Sequence, residues 1–261
     1  MQASYNEPVS AWREENLGGV AVFRPAEVPS DLLVAFSGRA AAPAGERSPT
    51  AFLASRLARA LSLDGTPIVR ATQVHGNRAV LVREPPPKGD VRDAGECDAL
   101  ATDRPGVALV VQTADCVPIL LASETAVATA HAGWRGTAAG AAAAAVRAMR
   151  DLGAPPDSIR AWLGPSIGIC CYEVGGEVAA QFAGEFLRSS CDGRFQLDLT
   201  AVNRAQLSEA GVAPENITVH PACTRCGGEK YASYRRDGAA AGRMIGMVMR
   251  RTRDQGPGTR D

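Results

Sequence analysis

Apolar and polar positions along the chain follow two periods, which predicts a mixture of strands and helices. Short apolar runs rich in β-branched residues, bounded by Gly, Pro or polar residues, predict buried strands. They cover residues 32–39, 107–116, 118–123, 125–133, 158–168, 216–224 and 242–250. Two further runs, 66–76 and 78–84, meet at the dipeptide Gly76-Asn77, which is typical of a turn. Together they predict a hairpin. The polar stretch 85–96, rich in Pro and Gly, predicts an exposed loop.

Apolar residues at helical spacing predict the helices of the chain. They cover residues 51–63, 136–156, 176–188 and 198–211. The second of these contains an alanine run that favours helix, and Gly153 with the two prolines that follow it marks its end. Asp198 or Thr200 is placed to cap the last helix.

The chain of 261 residues shows no internal repeat and no linker between two cores. We therefore expect one mixed α/β domain over residues 32–249. Its strands are too numerous for one small sheet, so packed sheets with helices outside are expected. Residues 1–31 predict a loosely ordered lead-in, in which 18–25 could add an edge strand, and 250–261 predict a disordered tail.

The charge balance argues against several classes of partner. With 28 basic and 28 acidic residues the formal net charge is zero, so no electrostatic argument favours nucleic acid or an anionic membrane. The beginning of the chain does not resemble a signal peptide, and no stretch is apolar enough to cross a bilayer. Seven cysteines, an odd number, are typical of reduced thiols. We expect a cytoplasmic protein, and its oligomeric state stays open.

Three potential metal ligands stand at the ends of predicted strands. His75 follows one strand, Cys116 precedes another, and His131 ends a third. Two imidazoles and a thiolate suit Zn²⁺, and three protein ligands leave a fourth position, as in catalytic zinc sites. The alternative is that Cys116 is a small buried apolar residue and the histidines are satisfied core residues. No short fixed-spacing motif decides between these two interpretations.

The other cysteines give weaker signals. Cys223 and Cys226 have the C-x-x-C spacing, but no second pair has the same spacing, so we do not expect a closed four-ligand zinc site. Cys170 and Cys171 are adjacent, and a disulfide between them would be strained. Packing is therefore the expectation for these two.

The segment after His131 has the features of an anion site. Gly133 and Gly136 allow close backbone approach, and the predicted helix would direct its first N–H groups toward the side of His131. Arg135 adds a planar cation suited to phosphate or carboxylate. The alternative is a packed Trp134 with Arg135 extending along it into solvent.

Several motifs occur together in a fixed order. They are QVHG (73–76), DAL (98–100), TADCVPILL (113–121), AHAGWRGTAAG (130–140), GPSIGICCYEVG (164–175), CT (223–224) and YASYRRDGAAAGRM (231–244). Together they resemble the YfiH family of bacterial laccase-domain proteins, also called the multicopper polyphenol oxidase or purine nucleoside phosphorylase family. The resemblance runs from Leu32 to Met249. Where members often carry FSTRxGG and NR, this chain has FSGRAAA and SR, which keep Arg39 and Arg56.

The resemblance implies a single α/β domain, an α-β-β-α layered sandwich similar to the cytotoxic necrotising factor catalytic domain. It implies a zinc site of two histidines and one cysteine, which map onto His75, Cys116 and His131. It also implies phosphorolysis of purine nucleosides (adenosine, inosine, guanosine and methylthioadenosine) with deamination of adenosine in addition.

This activity suggests roles for further residues. A carboxylate near the metal would shuttle protons during deamination, and Asp98 and Asp115 are the candidates. Phosphorolysis needs cations to hold phosphate near C1′ while the sugar gains oxocarbenium character. The candidates for this role are Arg39, Arg56, Arg135 and Arg235. Gln73 could hydrogen-bond a base or ribose edge.

Three other functions stay open. A laccase-like copper oxidase of phenols is one, although three histidines cannot fill a mononuclear and a trinuclear copper site. One Cys-His₂ site could still bind a single Cu²⁺ in place of zinc. A hydrolase of a cell-wall precursor, with Cys116 as nucleophile and His131 as base, is the second. A binding module without catalysis is the third.

Overall fold

A computed structural model of the chain describes residues 11–252, whose strands form two large sheets and one small one. The first sheet has seven strands in the order β1 (Trp12–Leu17), β2 (Val20–Pro25), β3 (Leu32–Ser37), β16 (Met244–Arg250), β8 (Ala108–Thr113), β4 (Ile68–Thr72) and β6 (Val91–Glu96). The second has six, in the order β15 (Ile217–Val219), β11 (Arg160–Leu163), β9 (Val117–Ala122), β10 (Val127–Ala132), β7 (Ala99–Thr102) and β5 (Ala79–Leu81). The third contains β12 (Glu173–Val174), β14 (Phe195–Leu197) and β13 (Leu187–Ser189).

The helices range in length from four to twelve residues. They are α1 (Pro49–Ala60), α2 (Trp134–Ala138), α3 (Ala141–Arg150), α4 (Gly176–Ala179), α5 (Leu199–Glu209) and α6 (Tyr234–Asp237). Single 3₁₀ turns occur at Pro156–Ser158, Gly184–Phe186, Cys191–Gly193, Pro214–Asn216 and Gly238–Ala240. Within residues 11–252, no helix has both the length and the apolar character needed to cross a membrane.

Three apolar clusters show how the layers are stacked. One joins Leu53 and Leu57 of α1 to the first sheet, and a second lies between the two large sheets, with Phe36 of β3 and Trp162 of β11 among its members. The third joins Met149 of α3 and residues of α5 to the second sheet. Helices therefore lie outside and sheets inside, which confirms the mixed α/β class. The similarity to the cytotoxic necrotising factor domain stays a prediction.

The chain crosses from the first sheet to the second three times in succession. The crossings lie between β4 and β5, between β6 and β7, and between β8 and β9. The predicted hairpin over 66–84 is therefore wrong, because β4 pairs with β6 and β8 whereas β5 pairs with β7. Since β4, β6 and β8 are parallel to one another, the three crossings start from the same edge of the first sheet.

The predicted loop 85–96 contains β6, so this expectation is also wrong. β6 is the outermost strand of the first sheet and hydrogen-bonds only to β4 there. All six of its residues are partly or fully exposed. An edge strand of this kind buries little apolar surface, so its sequence lacks the hydrophobic pattern that reveals the inner strands.

Two predicted helices are shorter than expected. The helix over 136–156 is interrupted at Gly140, whose φ of 81° lies in the left-handed region and separates α2 from α3. The helix over 176–188 is reduced to α4, because the rest of that segment forms a 3₁₀ turn and then strand β13. The predicted cap of α5 is confirmed for Asp198, whose side chain accepts a hydrogen bond from the N–H of Ala201 at 2.9 Å.

Residues 12–25 form strands β1 and β2, and β2 is the strand that the sequence suggested over 18–25. Strands β1 and β2 form an antiparallel hairpin at the edge of the first sheet. The indole N–H of Trp12 donates to the carbonyl of Val219, which attaches this hairpin to the second sheet. Residues 1–10 and most of the predicted tail, 253–261, lie outside the described residues.

The contact between the two sheets gives a test of the fold. Gly164 follows β11, and a Cβ added there would overlap the ring of Phe36 from the facing sheet. We expect Gly164→Ala to lower the free energy of unfolding by about 1–3 kcal/mol, the usual cost of overpacking. Thermal unfolding measures this, with Gly184→Ala as the control because a Cβ at Gly184 meets open space. Equal melting temperatures for both variants would contradict the sheet packing described here.

Candidate metal centre

The three predicted metal ligands meet where the chain crosses between the sheets. His75 lies in the crossing from β4 to β5, and Cys116 lies in the crossing from β8 to β9. His131 is in β10, paired with Pro118 two residues beyond Cys116. The ligand atoms of His75, Cys116 and His131 all lie within 4.8 Å of one another. Residues far apart in sequence thus form one compact cluster.

Asp98 lies in the remaining crossing, from β6 to β7, and organises the loop that carries His75. Its buried carboxylate accepts hydrogen bonds from the backbone N–H groups of Val74 at 3.2 Å, His75 at 2.9 Å and Gly76 at 2.7 Å. His75 has a φ of 62°, which is unusual for a residue with a side chain. The three N–H groups form an anion-binding concavity around the carboxylate, and this stabilises the unusual backbone of His75.

The same carboxylate orients the second histidine. Oδ1 of Asp98 lies 2.8 Å from Nδ1 of His131, and both side chains are almost fully buried. Because an ionised carboxylate only accepts hydrogen bonds, Nδ1 carries a proton, and Nε2 is the nitrogen that can bind a metal once it has lost its own proton. A carboxylate behind a ligating histidine is the usual second layer of a zinc site.

The charges of the cluster prepare it to bind a cation. Burial raises the pKa of Cys116, but hydrogen bonds and charge interactions with His131 and His75 outweigh it and bring the pKa down to about 6. Burial lowers the pKa of His131, but Asp98 and Cys116 outweigh it and bring the pKa up to about 9. Without metal, the neutral-pH state is therefore a thiolate beside an imidazolium.

The space around the ligands fits one metal ion. A Cβ on Gly133 would lie 2.9 Å from Sγ of Cys116 and 3.0 Å from Cδ2 of His75, so a larger residue would intrude on both ligands. Two imidazoles and a thiolate form a donor set that suits Zn²⁺ and also Cu²⁺. With three protein ligands, the fourth coordination position is left for water or substrate.

Asp115 connects the cluster to the last third of the chain. Its φ is 85°, and its carboxylate accepts from the hydroxyl of Thr224 and from the backbone N–H of Arg235, both at 2.6 Å. Thr224 is fully buried and was not among the predicted site residues. The sequence marked it only as part of the CT motif, because its partner lies 109 residues away.

Two of the four predicted arginines lie near the cluster. The guanidinium of Arg235 stands 5.1 Å from the ring of Tyr172 and donates one hydrogen bond to the carbonyl of Glu173 at 2.8 Å. The guanidinium of Arg135 stands 4.3 Å from the ring of Trp134. Burial raises the pKa of Tyr172 to about 12, the negative charge of Cys116 adds to this rise, and both arginines oppose it. Tyr172 therefore lies among the thiolate and both cations, although sequence reasoning did not select it.

The other two predicted arginines have their own partners, and for Arg39 the partner belongs to α6, the helix of Arg235. Arg39 pairs with Asp237 at 3.2 Å and donates to the carbonyl of Ala240. Arg56, on the exposed side of α1, donates to the carbonyl of Gly19 in the first hairpin. Neither is brought to the three ligands by these contacts, and their part in phosphate binding stays a prediction.

The amide of Gln73 is occupied by the backbone. Nε2 of Gln73 donates to the carbonyl of Gln112 at 2.8 Å, and its Oε1 accepts from the N–H of Gln112 at 2.9 Å. These paired bonds continue the β4–β8 contact past the end of β4. Both polar atoms of the Gln73 amide are thus engaged in fold contacts.

The expected anion site at a helix start is not formed as predicted. The five-residue helix α2 begins after Gly133, and the longer α3 begins only at Ala141. Gly136 allows α2 to approach the His75 loop, since a Cβ there would lie 2.9 Å from the carbonyl of Gly76. The close approach predicted for this glycine is confirmed, but it packs backbone against backbone.

The Asp98 contacts generate a prediction about metal affinity. Asp98→Asn keeps the shape of the side chain but turns an acceptor oxygen into an NH₂ group, which would face N–H donors. We expect binding of Zn²⁺ to weaken about 10- to 100-fold, as for other residues behind metal ligands. Competition with a chromophoric chelator measures this, and Asp151→Asn, an exposed C-cap of α3, is the matched control. Wild-type affinity in Asp98→Asn would contradict the orienting role.

The pKa values predict how metal affinity depends on pH. Above about 6 Cys116 is already a thiolate, but His131 stays protonated up to about 9, so the ion displaces one proton from His131. Between these pH values the apparent affinity should rise about tenfold per pH unit, and below them it should fall more steeply as Cys116 protonates. The measurement is a competitive titration with zinc at several pH values. The zinc binding that remains in His75→Ala is subtracted, because that variant lacks one of the three ligands. An affinity independent of pH between the two values would contradict it.

Comparison with known proteins shows the family of the chain. A family model described as multi-copper polyphenol oxidoreductase laccase matches residues 51–251. A purine nucleoside phosphorylase of Deinococcus radiodurans is 41% identical over 209 residues, which cover 77% of each chain. A protein named adenosine deaminase RL5, from an unknown prokaryotic organism, is 38% identical over 208 residues, covering 75% of this chain and 79% of that protein.

Among solved structures, the crystal structure of the Bacillus licheniformis hypothetical protein YfiH is similar, with a TM-score of 0.78 and 28% sequence identity. The similarity covers 91% of this chain and 98% of that one. The chain therefore belongs to the multi-copper polyphenol oxidoreductase laccase family, the YfiH family that its motifs resemble.

Proposed function

We propose that the protein is a zinc-dependent purine nucleoside phosphorylase that also deaminates adenosine. The observation that carries this proposal is the convergence of His75, Cys116 and His131 beside Arg135 and Arg235. Such a site offers a metal position and cations for an anionic co-substrate. The names of the relatives, purine nucleoside phosphorylase and adenosine deaminase, support the same reaction classes. Adenosine, inosine, guanosine and methylthioadenosine are the proposed substrates.

His75, Cys116 and His131 would hold the zinc ion. When bound, the ion supplies Lewis-acid chemistry at its fourth coordination position. The protein's own contribution is to fix the three ligands before the ion arrives, through Asp98 and the small residue Gly133. Copper could occupy the same ligands as a substitute.

The two predicted catalytic carboxylates take different roles in this proposal. Asp98 already accepts four hydrogen bonds, which fills the lone pairs of a carboxylate, so we assign it to positioning and not to proton transfer. Each oxygen of Asp115 accepts only one of the hydrogen bonds described here. Asp115, next to Cys116, is therefore the proposed group that gives a proton to the purine or takes one from water.

For phosphorolysis, Arg135 and Arg235 are the proposed phosphate-binding residues. The bond from C1′ to the purine nitrogen breaks, a bond from C1′ to a phosphate oxygen forms, and the purine leaves with a proton. Cations held near C1′ keep phosphate in place as positive charge develops on the sugar. Arg39 is not included because Asp237 already pairs with its charge, and Arg56 is not included because it lies on α1 against the first hairpin.

The histidines argue against a multicopper oxidase. The chain has three histidines, and the third, His220, lies apart from the cluster. Its ring packs against Trp12 and Phe23, its Nδ1 accepts from the N–H of Ala222, and burial lowers its pKa to about 4. Only two histidines are left for copper, too few for a mononuclear and a trinuclear site. Any phenol oxidase activity would then follow a single bound copper ion.

A second candidate is a hydrolase in which Cys116 is the nucleophile. The observation in its favour is the alignment of Cys116, His131 and Asp98, with a thiol pKa of about 6. This is the order of groups that activates a cysteine nucleophile, and it needs no metal. A cell-wall precursor is the proposed substrate in this case.

One assay separates these functions. Zinc-loaded protein is incubated with adenosine, with and without phosphate, and the products are identified by chromatography. We expect adenine and ribose 1-phosphate only when phosphate is present, and inosine both with and without phosphate. Activity lost on chelation and restored by zinc would support the metal role over the cysteine nucleophile. A protein that releases no base from any of these nucleosides would favour a binding module.

The arginine variants test the phosphate site within the same assay. Arg235→Gln should lower phosphorolysis about 10- to 100-fold, the cost of losing a charged hydrogen bond, and should raise the KM for phosphate. Deamination should be affected much less, because it uses no phosphate. Arg150→Gln, on the exposed side of α3, is the matched control. Equal losses of phosphorolysis and deamination in Arg235→Gln would contradict the assignment.

A further inference from the structure

Four cysteines form a second cluster, away from the three ligands described above. Cys170 and Cys171 come from the loop after β11, and Cys223 and Cys226 come from the loop after β15. Their four sulfur atoms all lie within 4.8 Å of one another. Cys170 and Cys226 are exposed, and the other two are half-buried, so the cluster lies at the surface with one side against the core.

The sheet topology explains why these loops meet. β11 and β15 are parallel neighbours, so the chain leaves both strands at the same edge of the second sheet. A further bridge pairs Ser166 with Cys223 beyond the strands, and the N–H of Thr224 donates to the carbonyl of Ser166 at 2.9 Å. This pairing brings the C-x-x-C segment against the loop that carries the adjacent cysteines.

Local backbone contacts already shape the cluster. The N–H of Gly168 donates to Sγ of Cys223 at 3.2 Å, a hydrogen bond that favours a thiolate. A Cβ on Gly168 would crowd Cys223 at 3.2 Å and Sγ of Cys170 at 3.4 Å. The N–H of Gly227 donates to the carbonyl of Cys223 at 2.7 Å and closes the turn that holds Cys226. The turn is therefore formed without a covalent link between the cysteines.

The guanidinium of Arg236 holds this loop from its other side. It donates to the carbonyls of Thr224, Arg225, Gly228 and Tyr231 at 2.8–3.2 Å. Two of these carbonyls lie inside the C-x-x-C segment, and the other two follow it in sequence. A single half-buried cation thus fixes the loop backbone from which two of the four thiols project, so their separation is set by the fold.

The four cysteines are free thiols, and their spacing suits a shared metal ion. Sγ of Cys170 lies 3.7 Å from Sγ of Cys226, whereas a disulfide bond is about 2.0 Å long. Four thiolates at about 2.3 Å from a central Zn²⁺ are about 3.8 Å apart in tetrahedral geometry. The Cys170–Cys226 distance matches this value, and all four sulfur atoms lie within 4.8 Å of one another, close enough to share one ion.

We propose that Cys170, Cys171, Cys223 and Cys226 bind a second Zn²⁺ ion in a closed, structural four-thiolate site. The four thiols lose their protons to solvent on binding, and no position is left for substrate. A closed site is not expected from the sequence alone, because no second pair of cysteines has the C-x-x-C spacing. In this proposal the second pair is the adjacent Cys170-Cys171. This proposal does not depend on the proposed enzymatic activity.

The second site would tie together the two loops that hold Asp115. The N–H of Ile167 donates to the carbonyl of Asp115 at 2.9 Å, and Thr224 donates to its carboxylate. Ile167 lies in the loop of Cys170, and Thr224 lies between Cys223 and Cys226. An ion bound by the four cysteines would therefore stabilise both contacts that fix Asp115 beside Cys116.

Metal analysis of the full chain tests this proposal. Protein purified from zinc-supplemented cells under reducing conditions, then dialysed against a mild chelator, is measured by elemental mass spectrometry. We expect two zinc ions per chain in the wild type and one in Cys170→Ser/Cys226→Ser. His75→Ala/His131→Ala should also retain one ion. Cys191→Ser, an exposed cysteine outside the cluster, is the matched control and should keep two.

A second measurement covers the case in which the cysteine variant does not fold. The His75→Ala/His131→Ala variant, loaded with Co²⁺, should show the intense thiolate-to-cobalt absorption of a four-sulfur tetrahedral site. Its melting temperature should fall when the metal is removed. One zinc per wild-type chain that is lost entirely in His75→Ala/His131→Ala would overturn the proposal. A disulfide between Cys170 and Cys226 found by mass spectrometry of the alkylated, unreduced protein would overturn it as well.

Discussion

The buried carboxylate of Asp98 is the interaction on which the metal centre depends. Burying an ionised carboxylate away from water costs free energy unless hydrogen bonds compensate for the lost hydration. For Asp98 these hydrogen bonds come from three backbone N–H groups and the imidazole of His131. These contacts join a loop that leaves the first sheet to a strand of the second. The position of both imidazoles therefore follows from one side chain that is fully enclosed by the protein.

The crossings between the sheets bring the remaining groups to the same place. Three parallel strands of the first sheet release their chains at one edge, and each chain then enters the second sheet. His75, Asp98 and Cys116 occupy these three crossings, one residue in each. The strands on either side are buried in apolar clusters, so the short connections are held between rigid bases. Packing between the sheets thus sets the distances among groups that do chemistry.

Much of the interior could be predicted from the sequence, because strands covered on both faces form continuous apolar runs such as those of β8, β9 and β10. Strand ends also pointed to His75, Cys116 and His131, which the structure brings together. The Gly76-Asn77 turn led to the wrong prediction of a hairpin. The same residue types favour a turn between two paired strands and a turn between two sheets. Contacts between distant loops, such as those of Thr224 and the four cysteines, leave no local pattern in the sequence.

The left-handed backbone of His75 has a kinetic consequence. Its unusual φ and the orientation of His131 are both fixed by hydrogen bonds to Asp98, which belong to the protein itself. Because the fold itself orders these ligands, their ordering would cost little of the affinity for a metal ion. The rate of capture would be limited by diffusion, by loss of water from the ion and by departure of the His131 proton. The site is thus a rigid receptor that exchanges one cation, a proton, for another.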